Sequence, residues 1–210
     1  MIYSENIFIC IVVPLFLAIY FISDNAKGFV GSFIVGMIIC LVSAYISGYV
    51  EYVLAFDHEW MAIYITPIIE EIMKAIPLLM FMFIFEPDNK TMILIAVGLG
   101  AGFATFENCC YLLENGADSF WYVIIRGVCV GVMHIVSMLL LCYGMILSKK
   151  FNAVSVPAFA GALSFSMIYH SLYNLLVSIP GASSIIGYRV PLATAILLYI
   201  PYHTLRKELT

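Results

Sequence analysis

Residues 61–85 read MAIYITPIIEEIMKAIPLLMFMFIF. The run is long enough to cross a bilayer, which takes about 20 mostly apolar residues as a helix. It carries charge only at Glu70, Glu71 and Lys74. A membrane-length helix with three charges at its centre sets the two questions for the whole chain, where it resides and what those charges do. The remaining sequence answers the first. Of 210 residues, 64% are hydrophobic and 10% charged, with a net charge of −4 and a mean hydropathy of +1.06. Soluble domains run to about 25% charged residues. A water-soluble enzyme of this composition could not cover its own surface. Nucleic-acid binding lacks its basic patch, and a disordered or disulfide-stapled secreted chain is equally excluded. The composition predicts an all-α, polytopic membrane helix bundle.

Seven apolar stretches fit between polar punctuation, at about 6–22, 28–54, 61–85, 91–113, 119–147, 156–178 and 188–203. The breaks are turn or charge signals, among them Glu86-Pro87-Asp88-Asn89-Lys90, Asn115-Gly116, Ser148-Lys149-Lys150 and Pro180-Gly181. Pro191 and Pro201 interrupt the last stretch. No repeat or long linker divides the chain, so residues 1–210 read as one domain. The first stretch lacks a basic leader and a small-x-small cleavage site, and it reads as a retained span. With seven spans, Lys27, Lys90, Lys149, Lys150, Arg206 and Lys207 collect on one side and only Arg189 on the other. That bias predicts an outside N-terminus, a cytoplasmic C-terminus and residence in the cell membrane. All six cysteines fall within spans and read as small apolar packing residues.

Seven ionisable residues then lie at membrane depth: Glu70, Glu71, Lys74, Glu107, Arg126, His134 and His170. Each costs a few kcal/mol there unless it meets partners in the bundle interior. At 1.5 Å per residue, Glu70, Glu107, Arg126 and His170 come out roughly 10–14 Å below the outer face. Lys74 and His134 come out deeper, at roughly 20 Å. One shared polar site opening outward accounts for the set. Glu70 and Glu71 stand four and three residues before Lys74, on one helical face, so the lysine can neutralise one carboxylate and leave the other free. His170 and Asn174 share a face in the same way, so the amide can orient the imidazole or a bound carbonyl. Pro67 and Pro77 flank the glutamates and are expected to kink the span and free backbone carbonyls. Gly98, Gly100 and Gly102 lie inside a span without nucleotide-loop spacing, and they read as close helix packing.

These residues resemble the PrsW family of intramembrane proteases, which are related to type II CAAX prenyl endopeptidases and bacteriocin-processing proteins. The matching strings are Glu-Glu-Ile-Met-Lys at 70–74, Gly-Phe-Ala-Thr-Phe-Glu-Asn at 102–108 with Tyr111 following, Arg126 leading to His134, and His-Ser-Leu-Tyr-Asn at 170–174. Each is weak alone, but four in order within apolar spans make a specific pattern over a core at about 60–178. The wider CAAX group has Arg and His where this chain has Lys74 and Glu107, which makes PrsW the nearer likeness. The resemblance implies hydrolysis of a membrane-anchored protein substrate in the lipid bilayer. In the type member, that substrate is an anti-sigma factor cut on the extracytoplasmic side.

Peptide hydrolysis needs an activated water, an oxyanion stabiliser and a proton donor for the leaving amine. Glu70 or Glu71 is the candidate base, and His134 and His170 the candidate donors. Lys74, Glu107, Arg126 and Asn174 are the supporting residues, with Arg126 balancing Glu107. The same set can instead bind Zn²⁺ with an open water position, through Glu107, His134 and His170. Metal-dependent and metal-free routes are both compatible with the residues. The competing reading is a proton-coupled transporter or channel, since Glu, His, Lys and Arg within spans also build proton relays. Against it, the chain shows no inverted repeat.

Overall fold

The computed structural model describes residues 24–116, 119–150 and 155–208, together with Phe8, Ile11, Val13, Leu15 and Leu17. The first expected span, 6–22 with Cys10, lies outside the described residues but for those five positions. The described chain is helical almost throughout, and no strand occurs among its residues. Its long helices are α1 (Asp24–Leu54), α2 (Thr66–Phe85), α3 (Asn89–Asn115), α4 (Phe120–Lys150), α5 (Ser155–Ser178) and α6 (Ala182–Glu208).

The breaks fall where the turn residues lie. α1 ends at Ala55, in the left-handed region, and Asp57 opens the next helical turn by accepting from Glu59 N and Trp60 N. Glu86 takes the left-handed conformation after α2. Asp88 then caps α3 through Thr91 N at 2.8 Å. Gly116 takes positive φ at the end of α3, and Gly181 does so immediately before α6. α6 starts six residues before the expected boundary and runs through Pro191 and Pro201 as one helix.

Four described stretches are long and apolar enough to cross a membrane: Ala26–Leu54, Asn89–Asn115, Phe120–Ser148 and Ala182–Tyr199. Two expected spans, α2 and α5, do not meet that standard, for a physical reason. α2 holds Glu70, Glu71 and Lys74 within its 20 residues, and α5 interleaves Ser, Tyr, His and Asn with its apolar residues. Both helices contribute to the polar cluster, α2 with Glu70, Glu71 and Lys74 and α5 with His170. The chain is an integral membrane protein.

α3 is the central post, packed against α1 on one side and α4 on the other. Its glycines set how close those helices come. A Cβ at Gly102 would stand 1.9 Å from Phe33 O, and one at Gly100 would stand 2.8 Å from His134 O. Backbone therefore meets backbone on both faces of α3, as the small-residue stripe predicts. The second contact fixes the backbone of His134 against α3.

The head of α2 departs from regular geometry. Met61–Ile65 forms one widened turn, in which Thr66 N donates to Met61 O, five residues back. Ala62 O would next receive the N–H of residue 67. That residue is Pro67 and has none. The orphaned carbonyl is satisfied from another helix, by Asn174 Nδ2 of α5 at 2.9 Å.

Candidate active site

The buried ionisable groups of α2, α3, α4 and α5 form one connected network. Lys74 Nζ lies at its centre. It donates to Glu71 Oε1 at 2.5 Å, to His134 Nδ1 at 2.9 Å and weakly to Ser137 Oγ at 3.5 Å. Both Lys74 and Glu71 are fully buried. The ammonium also sits 4.7 Å from the centre of the Phe103 ring. A buried pair survives only when its remaining hydrogen-bonding capacity is met, and Lys74 meets its own with a carboxylate, an imidazole and a hydroxyl.

An ammonium has only protons to offer, so His134 Nδ1 is the acceptor and His134 Nε2 carries the ring proton. Nε2 accordingly hydrogen-bonds Glu107 Oε2. The other oxygen of Glu107 takes Arg126 at 3.3 Å. The Arg126 guanidinium lies 3.4 Å from the centre of the Tyr111 ring, and Tyr111 in turn hydrogen-bonds Tyr122. Arg126 thus balances Glu107, as the sequence suggests.

On the other side, Glu71 Oε1 also accepts from His170 Nδ1 at 2.9 Å. That bond fixes the tautomer and leaves His170 Nε2 with a free lone pair. Nε2 faces Glu70 Oε2 at 3.7 Å, beyond hydrogen-bond reach. Glu70 Oε2 is buried with no hydrogen-bond partner. The two imidazoles meet edge to face, with centroids 4.9 Å apart.

Glu70, His134 and His170 each offer a ligand atom, all within 4.8 Å of one another. Two nitrogens and one carboxylate oxygen with an open position are the donors of a catalytic zinc site. Each histidine has a carboxylate on its other side, Glu71 behind His170 and Glu107 behind His134, as metal-ligating histidines do. The unpartnered Glu70 Oε2 and free His170 Nε2 supply two ready donors, and His134 would exchange one of its two bonds to supply the third. The residues fit a metal. Glu70, rather than the Glu107 expected from sequence, completes the group, because Glu107 is drawn aside by Arg126 and His134.

The remaining expected residue, Asn174, stands one turn beyond His170 but turns away from the imidazole. It holds the widened turn at Ala62 instead. Sequence reasoning missed Ser137, which shares a face with His134 three residues earlier. That spacing was the available signal. Ser166 supports this turn by donating to Ser137 O at 3.0 Å.

The chain matches the model of the PrsW family of intramembrane metalloproteases over residues 26–204. It belongs to that family. No curated protein and no solved structure matches it significantly. Family membership makes the chain a membrane protease acting on protein substrates. The match extends beyond the expected motif-bearing core of about 60–178, from α1 into α6. Motif residues from four helices meet in one buried cluster of this PrsW-family chain.

Proposed function

We propose that this buried cluster hydrolyses a peptide bond in a membrane-anchored protein, near the extracytoplasmic side of the cell membrane. The supporting observation is the pairing of an unpartnered carboxylate oxygen on Glu70 with the free Nε2 of His170, beside a second carboxylate, Glu71, whose Oε1 is held by both Lys74 and His170 while its Oε2 has no hydrogen-bond partner. Two adjacent glutamates so differently placed have different roles. Glu71 is held by Lys74 and His170, so it orients the imidazole and balances the ammonium. Glu70 is the general base, with an oxygen free to take a proton from the attacking water. His170 Nε2 receives that proton and returns it to the departing amide nitrogen. His134, fixed by Lys74 and Glu107, holds its ring beside His170, and Arg126 holds Glu107 in place.

In the metal-dependent route, the alternative to this proton relay, Glu70, His134 and His170 would instead hold a divalent ion, most suitably Zn²⁺, which would supply polarisation of the scissile carbonyl and acidification of a bound water. We read the chain as one domain over residues 1–210. It crosses the membrane seven times, with the C-terminus in the cytoplasm, and the loop cations support this orientation. An anti-sigma factor is the substrate class suggested by the family's type member.

Purified protein in liposomes, incubated with a labelled single-span anti-sigma-type substrate, tests the reading. Wild type should cleave it, and Glu70→Gln and His170→Ala should not. Metal content measured alongside should fall in both variants. Substrate persisting equally with all three proteins, with chelator and with added zinc, would refute the assignment. A reporter fused after Thr210 should register as cytoplasmic.

A further inference from the structure

Most buried serines in this bundle have found a partner. Ser32 donates to Phe29 O, Ser137 to His134 O, Ser148 to Met145 O, and Ser166 to Ser137 O on the next helix. Ser43 and Ser47 of α1 differ. They are 0% and 7% exposed, and the hydroxyl of each is buried with no hydrogen-bond partner. A serine inside a helix can always donate to a carbonyl on its own preceding turn. These two, four residues apart on one face, have no hydrogen-bond partner among the described residues.

Their place in the fold suggests what they await. The buried stripe of α1 runs Met37, Cys40, Ser43, Ser47, while Tyr45, Tyr49 and Tyr52 on its other faces are exposed. Met37 and Cys40 pack in one cluster with Phe103 and Phe106, and the Phe103 ring centre lies 4.7 Å from Lys74 Nζ, so that level of α1 is the level of the site. Ser43 stands about 4.5 Å and Ser47 about 10 Å further along the helix. Both lie toward Leu54, the end at which the chain turns into α2. α1 packs against the widened turn and α2. On the facing helix, Glu70 Oε2 and Glu71 Oε2 are also buried without a hydrogen-bond partner.

An unpaired hydroxyl flanked by apolar helices calls for a guest with hydrogen-bonding groups of its own. The substrate of a peptidase has them in its backbone, and only where it is unwound, because a helix uses its amides internally. Residues four apart on a helix are spaced about 6 Å along its axis. Equivalent groups on one edge of an extended chain repeat about every 6.6 Å. We propose that Ser43 and Ser47 form a backbone rail. They hydrogen-bond alternate amide groups of an extended substrate segment lying between α1 and α2, and so deliver the scissile bond to Glu70 and His170. The proposal rests on the protease reading and adds how substrate is recognised, by main chain rather than side chain.

The test measures binding separately from cleavage. A fluorescent single-span peptide is titrated into the full chain in nanodiscs, and its cleavage is followed in the same preparation. Ser43→Ala and Ser47→Ala should each raise Kd about 3–10-fold, the worth of one neutral hydrogen bond. KM should rise in parallel, with kcat nearly unchanged. Threonine at either position should restore binding. Ser32→Ala, which removes a hydroxyl already bonded within α1, should change neither constant. Tm should hold or rise in the Ser43 and Ser47 variants, because an unsatisfied buried group has been removed. Unchanged Kd in the double alanine variant overturns the rail, whatever happens to Tm. Binding that weakens as expected in a chain that never cuts would refute the hydrolytic reading and leave the rail standing.

Discussion

Replacing Asn174 by alanine removes a single hydrogen bond, yet its cost depends on a residue on another helix. Asn174 Nδ2 reaches Ala62 O across the α2–α5 seam, and that carbonyl is free only because Pro67 lacks an N–H. Losing the bond should cost about 1 kcal/mol, the net worth of one neutral hydrogen bond. On a chain of this length that is a fall in Tm of roughly 2–4 °C. The informative experiment is the cycle with Pro67→Ala. Alanine at 67 restores an N–H to the turn, so Ala62 O regains an intrahelical donor and no longer needs Asn174. In that background Asn174→Ala should cost nearly nothing, giving a coupling of about 1 kcal/mol between residues on separate helices. Thermal unfolding in detergent, followed by circular dichroism, measures all four corners. The same fall in Tm in both backgrounds would refute the claim that proline created the vacancy and asparagine fills it. The clip also ties the turn before Glu70 to the turn after His170. The single variant should therefore lose kcat beyond what its stability loss explains, and the double variant should recover part of it.

Other consequences are equally specific. Lys74→Met leaves the buried Glu71 carboxylate without its cation and should cost about 3–5 kcal/mol, read as loss of monodisperse protein on gel filtration. Gly102→Ala drives a methyl into Phe33 O and should destabilise by about 3 kcal/mol or more. Gly31→Ala, where a Cβ meets nothing within 4 Å, should hold stability or raise it by up to about 1 kcal/mol in the same melt. Asp88→Ala removes the α3 cap and should cost about 1 kcal/mol. The Asp88 carboxyl is held below its ordinary value by hydrogen bonds from the Thr91 side chain and backbone. Its contribution is thus complete above the unfolded carboxylate range and disappears as pH falls through the lowered value. The wild-type and Asp88→Ala melting curves should converge below about pH 3.

The cluster was legible in the sequence because charge at membrane depth is costly and rare, so every such residue is informative. Glu70, Glu71, Lys74, Glu107, Arg126, His134 and His170 all meet in it. What could not be read was which atom each would choose. Helical spacing put both glutamates within reach of Lys74, and only the position of α5 shows that Glu71 is anchored while Glu70 is free. The same spacing aimed Asn174 at His170, whereas the stronger demand came from a carbonyl orphaned on another helix. Pro67 did foretell a freed carbonyl, though not its rescuer. Nothing in the sequence singles out Ser43 and Ser47, because a missing partner leaves no mark there.

The glycine contacts of α3 also bear on how a peptide could enter. Where backbones touch, as at Gly102 with Phe33 and Gly100 with His134, two helices can separate only by giving up their entire contact. α2 and α5 meet differently. Between them lies an apolar groove of about 440 Å³, bordered by Tyr64, Ile68, Met167 and Leu172. The bundle is thus a vice with one fixed jaw, α1–α3–α4, and one seam already ajar. Widening that seam strains the clip from Asn174 to Ala62 and the bond from His170 to Glu71.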